Sequence, residues 1–146
     1  MELVKIDQDN MDYYRQFDCV YCDKLSEFQS RIYPSDDSEH VNWYYIKVDN
    51  NIIGSVWLEK KENESFATLG IFIADAEYRG QGIGKQAIHE IINIDTKAME
   101  INEIRLHVRE TNVRAIKCYS DLGFTEFQRY KKENGITVIS MKFQVS

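Results

Sequence analysis

Three glycines, Gly80, Gly82 and Gly84, alternate with Gln81 and Ile83 between two cations, Arg79 and Lys85, in the stretch YRGQGIGK. Glycines at alternate positions let the backbone N–H groups of a loop converge on an anion, because no Cβ stands in the way. A helix that begins there adds its partial positive charge and its unpaired amides. The stretch therefore reads as an anion cradle, and its neighbours decide for which anion. A Walker A loop requires glycine five residues before the Gly-Lys pair and Ser or Thr after the lysine, where Arg79 and Gln86 stand. A dinucleotide fingerprint starting at Gly80 requires glycine at Lys85. What remains is R-G-x-G-x-G, a seat for a diphosphate that brings no magnesium, with Arg79 and Lys85 supplying charge-assisted contacts at its mouth.

Such a loop works only if it follows a strand and opens a helix, and its flanks provide both. FATLGIFIA is apolar at consecutive positions, as a strand at the centre of a sheet must be. Beyond the loop, Ile83, Ala87, Ile88, Ile91, Ile92, Asp95, Ala98 and Met99 mark one stripe of a long helix that ends before the strand EIRLHV. A strand-helix-strand crossover of this length puts its two strands parallel and adjacent. A shorter helix is expected over 112–122, stopped by Gly123, and then FTEFQRY and ITVISMKF close a hairpin around ENG. Upstream, a strand is expected over 2–6. A helix capped by Asp9 or Asn10 should run to about Gln29, with Tyr13, Tyr14, Phe17, Val20, Tyr21, Leu25 and Phe28 on its apolar face. A polar loop then leads to VNWYYIKV and IIGSVWLEK, a hairpin turning at Asp49, Asn50 and Asn51. The class is α+β, in a single domain over 1–146.

The whole-chain numbers agree with one compact domain. The chain has 146 residues, 43% of them hydrophobic and 29% charged, with one proline, Pro34, which is a soluble globular composition. Net charge is −6, but it is divided: 16 acidic and 7 basic residues precede Arg79, and 8 acidic and 11 basic follow from there on. The basic half suits an anionic ligand and the acidic half a cationic one. The acidic balance, with no basic stripe interleaved with aromatics, speaks against nucleic acid. No leader-like segment and no apolar run of membrane-spanning length occurs, so no membrane partner and a cytoplasmic location are expected. Cys19, Cys22 and Cys118 are read as reduced thiols, and the CxxC within an amphipathic run as structural, with no metal site.

FIADAEYRGQGIGKQAI, followed at the expected distance by HVRETNVRAIKCYSDLGF, resembles the two central motifs of the GCN5-related N-acetyltransferases, which use acetyl-coenzyme A. It is similar to the ribosomal-protein alanine acetyltransferase-like branch of that family. The resemblance implies a mixed, mostly antiparallel sheet of about six or seven strands with helices on both faces. It implies that Arg79, Gly80, Gln81, Gly82, Ile83, Gly84 and Lys85 bind the coenzyme A pyrophosphate. Ile71, Phe72 and Ile73 would pair through their backbone with the pantetheine amides, where the two central strands splay and free an N–H for the thioester carbonyl. Asn112 would hydrogen-bond the cofactor, and Tyr119 matches the usual general acid, seven residues on and on nearly the same helix face. Many relatives of this size form homodimers.

The implied activity is transfer of an acetyl group from acetyl-coenzyme A to a primary amine, by direct attack in a ternary complex. A fixed N–H near the developing oxyanion is typically worth about 10²–10³ in rate. The leaving thiolate takes its proton from Tyr119. The amine must also lose a proton, and there the chain departs from the branch: five residues before Asn112, where the branch has glutamate, stands His107. Histidine is a competent base near neutral pH; Glu59, Glu110 and a water-mediated route remain open beside it. The amine acceptor is a small molecule or a peptide amino group. Asp36, Asp37 and Glu39 with Trp43, Tyr44 and Trp57 offer a cationic amine a surface, although solvated acids and core aromatics are the preferred reading. Tyr78 and Tyr130 are expected to be structural. The alternative in another class is a sensor that keeps the fold and the coenzyme A loop without turnover.

Overall fold

A computed structural model describes residues 1–12, Pro34 and residues 38–145. The expected first helix, Cys19, Cys22, Asp36 and Asp37 lie outside the described residues. Seven strands form one sheet in the order β1-β2-β3-β4-β5-β7-β6: β1 is Glu2–Lys5, β2 His40–Val48, β3 Asn51–Lys60, β4 Phe66–Ile73, β5 Glu103–Arg109, β6 Thr125–Lys131 and β7 Thr137–Gln144. Every neighbouring pair is antiparallel except β4 and β5, which are parallel as the crossover between them requires. Two α-helices are described, α1 over Ile83–Asp95 and α2 over Val113–Leu122, with a 3-10 turn at Ala76–Tyr78 before the glycine loop.

Local chemistry explains the turns. Asp49 and Asn50 both have positive φ, 50° and 67°, as a two-residue hairpin turn matched to the sheet's twist requires. Gly123 ends α2 at φ 107°, and its N–H donates to Ser120 O. The expected long helix stops four residues early, at Asp95. The chain then makes a further turn in which the Met99 N–H donates to the Asp95 carbonyl at 3.1 Å, and Glu100 takes a φ of 52° to enter β5.

The core lies between the sheet and the helices. Val56, Leu58, Leu69, Ile104, Leu106, Ile139 and Met141 from the strands meet Ile83, Ala87, Ile88 and Ile91 of α1, while Ala115, Ile116, Tyr119 and Leu122 of α2 pack against the same cluster. Both described helices therefore sit on one face of the sheet. Tyr44 reaches this core from β2, and its hydroxyl donates to Asp95 Oδ1 at 3.0 Å, tying the end of α1 to the sheet. The opposite face carries Trp57, Glu59, His107 and Ser140, because strand side chains alternate.

Candidate active site

The central feature is a parting of the sheet. β4 and β5 pair only at Phe66–Glu103, Ala67–Ile104 and Thr68–Arg105. Past that point β4 stays on β3 as far as Ile73, and β5 stays on β7 as far as Arg109, so the two halves open along one line. The Ala74 N–H donates to the Ile53 carbonyl at 2.8 Å. Alternation along the ladder then turns the backbone groups of Phe72 toward β3 and those of Ile71 and Ile73 into the gap. Of the three expected strand residues, two face the gap and Phe72 does not. Ile71 has no strand partner on that side, which suits an extended chain of amides laid in as an added strand.

Arg79 is placed differently from the expectation. Its Nε and Nη2 donate to the Ile73 carbonyl at 3.1 and 2.9 Å, so the guanidinium braces the loop against the end of β4. The Gln81 side-chain amide does the same with the Glu77 carbonyl. Gly80 and Gly82 have φ of 76° and 80°, the left-handed region that glycine enters without cost. Gly82 caps α1 with no side-chain partner, and helical bonding begins when the Gln86 N–H reaches the Gly82 carbonyl at 3.0 Å. The first amides of the helix, at Ile83, Gly84 and Lys85, are the orphans that every helix start leaves. No atom lies within 4 Å of where a Gly82 Cβ would stand, while a Gly84 Cβ would touch Ile71 and Ile73 at 3.5 and 3.6 Å. So Gly82 faces open space and Gly84 seats α1 on β4. Lys85 lies 3.8 Å from Asp121. The cation brought to the loop is Arg114 of α2, with Nη1 3.1 Å from the Cβ position of Gly80. Its sequence signal was faint: two residues after Asn112, in a helix whose contact with α1 was not foreseen. Orphan amides, two left-handed glycines and a guanidinium fit a diphosphate.

The gap opens into a cleft of about 260 Å³, lined by Trp57, Thr68, Gly70, Ile71, His107 and Tyr119, among others. Tyr119 enters from the helix side and His107 from the opposite face, so the opening joins the two faces of the sheet. Tyr119 packs edge-on against Phe124 at 6.1 Å and donates no hydrogen bond to another described residue. Burial first, and the neighbouring Cys118 second, push its pKa up to about 12, which keeps the phenol protonated. Asn112 caps α2, its Oδ1 accepting from the Ala115 N–H at 3.4 Å; that leaves its amide N–H groups for a ligand. His107 is exposed, with Nδ1 2.8 Å from Ser140 Oγ. Ser140 holds one ring nitrogen and orients the ring at the cleft.

The other base candidates stand elsewhere. Glu59 is buried, 2% exposed, two residues along β3 from Trp57 and not among the cleft's lining residues. Glu110 is exposed and paired with Arg129 at 3.4 Å. Trp57 forms part of the cleft, and Tyr44 is core, bonded to Asp95. Tyr130, expected to be structural, lines the cleft together with Arg109 and Lys132. Among the described residues no group of three or more His, Cys, Asp or Glu is placed to hold a metal ion, and no described helix is long and apolar enough to cross a membrane.

The model of the acetyltransferase (GNAT) family matches residues 3–124. The chain belongs to this family. Spermine/spermidine N(1)-acetyltransferase of Bacillus subtilis is 29% identical over 76 residues, 52% of this chain and 43% of that protein. Aminoglycoside N(6')-acetyltransferase type 1 of Klebsiella pneumoniae is 25% identical over 71 residues, 49% of this chain and 35% of that protein. The match thus spans less than half the length of these curated relatives. The spermidine N-acetyltransferase of Vibrio cholerae, solved with CoA and spermine, shares the fold with a TM-score of 0.77 at 18% identity, covering 98% of this chain and 94% of that one. The similarity of this GNAT chain thus runs to polyamine and aminoglycoside enzymes, not specifically to the ribosomal-protein alanine branch.

Proposed function

We propose that this chain transfers an acetyl group from acetyl-coenzyme A to a primary amine. The observation that carries the reading is the parted sheet: a gap with open backbone at Ile71 leads from a diphosphate cradle to a cleft where Tyr119 and His107 meet from opposite faces. Family membership supports it, as do relatives named for amine acetylation. The donor supplies an activated acyl group on a thiol leaving group; the rest is done by the chain.

The amides of Ile83, Gly84 and Lys85, with Arg114, hold the diphosphate end. The Ile71 N–H and C=O fix the extended arm, which sets the acyl carbon in the cleft. His107 takes the proton of the amine while the C–N bond forms and the C–S bond breaks. Tyr119 gives a proton to the departing sulfur and recovers one from His107 through solvent, so the protons balance. A phenol whose pKa is raised to about 12 is a weak acid for a thiolate. The same burial destabilises the thiolate, so the transfer depends on contact more than on acidity. His107 in place of the branch's glutamate fits this scheme, since its ring is accessible and oriented by Ser140.

The test is Tyr119→Phe. Turnover should fall at least about tenfold, with acetyl-coenzyme A affinity by calorimetry nearly unchanged. Equal turnover in the variant removes Tyr119 from the mechanism. Binding of acetyl-coenzyme A by the wild-type chain with no acetylation of any amine would favour the sensor reading.

A further inference from the structure

The cleft's ionisable lining is one-sided. His107, Arg109, Tyr119, Tyr130 and Lys132 line it, and among the described residues no carboxylate does. Most cations near the site are already engaged: Arg79 by the Ile73 carbonyl, Lys85 by Asp121, Arg105 by Glu103, and Arg129 by Glu126 and Glu110. Arg109 and Lys132 form no ion pair with a described residue. Two cations that share one cleft, uncompensated among the described residues, repel each other and attract an anion.

Their position says which end of the reaction they serve. Ile104, Leu106 and Val108 point into the core beneath α1, so Arg109, two residues after His107, shares the His107 face. Across the sheet Arg109 stands opposite Val138, and Val138 opposite Tyr130, one row on the same face. Lys132 follows Tyr130 at the tip of the β6–β7 hairpin. Its N–H donates to the Ile136 carbonyl at 2.8 Å, and its carbonyl accepts from Gly135 N–H at 2.9 Å. The diphosphate cradle lies at the same open end of the gap but on the helix face of the sheet, where α1 starts and Arg114 reaches Gly80. Arg109 and Lys132 thus flank the base, on the acceptor's side.

We propose that the acceptor is a small amine that also carries an anion, a carboxylate or phosphate, seated by Arg109 and Lys132 while His107 meets its amino group. This rests on the acetyl-transfer reading above. It departs from the polycationic acceptors named for the relatives. His107 and Arg109 are two strand residues apart, about 7 Å, so amine and anion are separated by a few bonds.

Matched pairs test it, with acetyl-coenzyme A as donor and the described chain intact: L-lysine against cadaverine, phosphoethanolamine against ethanolamine, and spermidine alone. The anionic member of each pair should lead by at least about tenfold in kcat/KM, and the better of the two pairs tells carboxylate from phosphate. Lys132→Ala, at an exposed position, and Arg109→Gln should each raise the KM of the anionic acceptor at least about fivefold, while calorimetric affinity for acetyl-coenzyme A stays within about twofold. Preference for cadaverine or spermidine overturns the proposal and leaves the transfer reading standing. So does an equal loss of acetyl-coenzyme A affinity in both variants, which would assign the cations to the donor. Bound acetyl-coenzyme A with no amine acetylated overturns both.

Discussion

Trp57 lies across β4 at the floor of the cleft, and Gly70 is what permits it. A Cβ at Gly70 would stand 2.1 Å from the indole ring, well inside contact distance. Both residues pair directly across the β3–β4 ladder, so neither can slide away. Gly70→Ala should therefore push the indole into the cleft, lower stability by about 1–3 kcal/mol and cut turnover more than acetyl-coenzyme A affinity. Thermal melts together with kinetics check this; a variant of normal activity would mean the ring has room to move. The sequence shows how unevenly such residues can be read. Gly82 stands out by local spacing within its loop, while Asn112 and Tyr119 are singled out by the family resemblance of one short helix. Gly70, Arg109 and Lys132 owe their places at the cleft to neighbours on other strands, and no window of residues reveals a cross-strand register. The partner that Arg79 takes in the structure is hidden for the same reason, since it is a backbone carbonyl on β4.

At the scale of elements, α1 is anchored at both ends by different means. Its start is held by Gly84 against Ile71 and Ile73, and its end by the bond from Tyr44 to Asp95. Asp95 is 4% exposed, and its Oδ2 has no hydrogen-bond partner among the described residues. Burial raises its pKa above 3.8, against the lowering effects of the Tyr44 bond and of Lys5. A carboxyl whose folded pKa is raised stabilises the fold fully below the unfolded value and loses that contribution as pH climbs through the folded one. Asp95→Asn keeps an acceptor for Tyr44 and removes the charge. Its melting temperature should exceed wild type by a few degrees at pH 8, the gap closing as pH falls toward 3.8; a lower melting temperature at pH 8 would show that the charge is needed. The elements themselves were largely legible, since period and turn residues give β2, β3, β4 and α2 almost to their ends. The helix after the glycine loop was read too long, because Ala98 and Met99 continue the apolar stripe in a turn that is no longer α-helical.

For the molecule as a whole, the sheet is two blocks joined by three residue pairs, β1 to β4 on one side and β5, β7 and β6 on the other. The parallel crossover that creates the seam was readable from strand, loop and helix lengths. That the seam opens at all was expected only from the family resemblance, which put the parting at 71–73; the last pair is Thr68–Arg105. A ligand lying in the seam makes strand-like bonds through its amides and phosphate contacts through the loop, and neither set of contacts depends on the acetyl group. The spent carrier therefore fits as well as the charged one. Free coenzyme A should compete with acetyl-coenzyme A, with an inhibition constant within about tenfold of the donor's Kd, measured from initial rates at saturating amine. Inhibition only at far higher concentrations would place the binding energy in the acetyl group instead. With comparable affinities, occupancy by the two forms follows their ratio, and the rate in a cell then tracks the balance of charged to spent carrier rather than the amount of either.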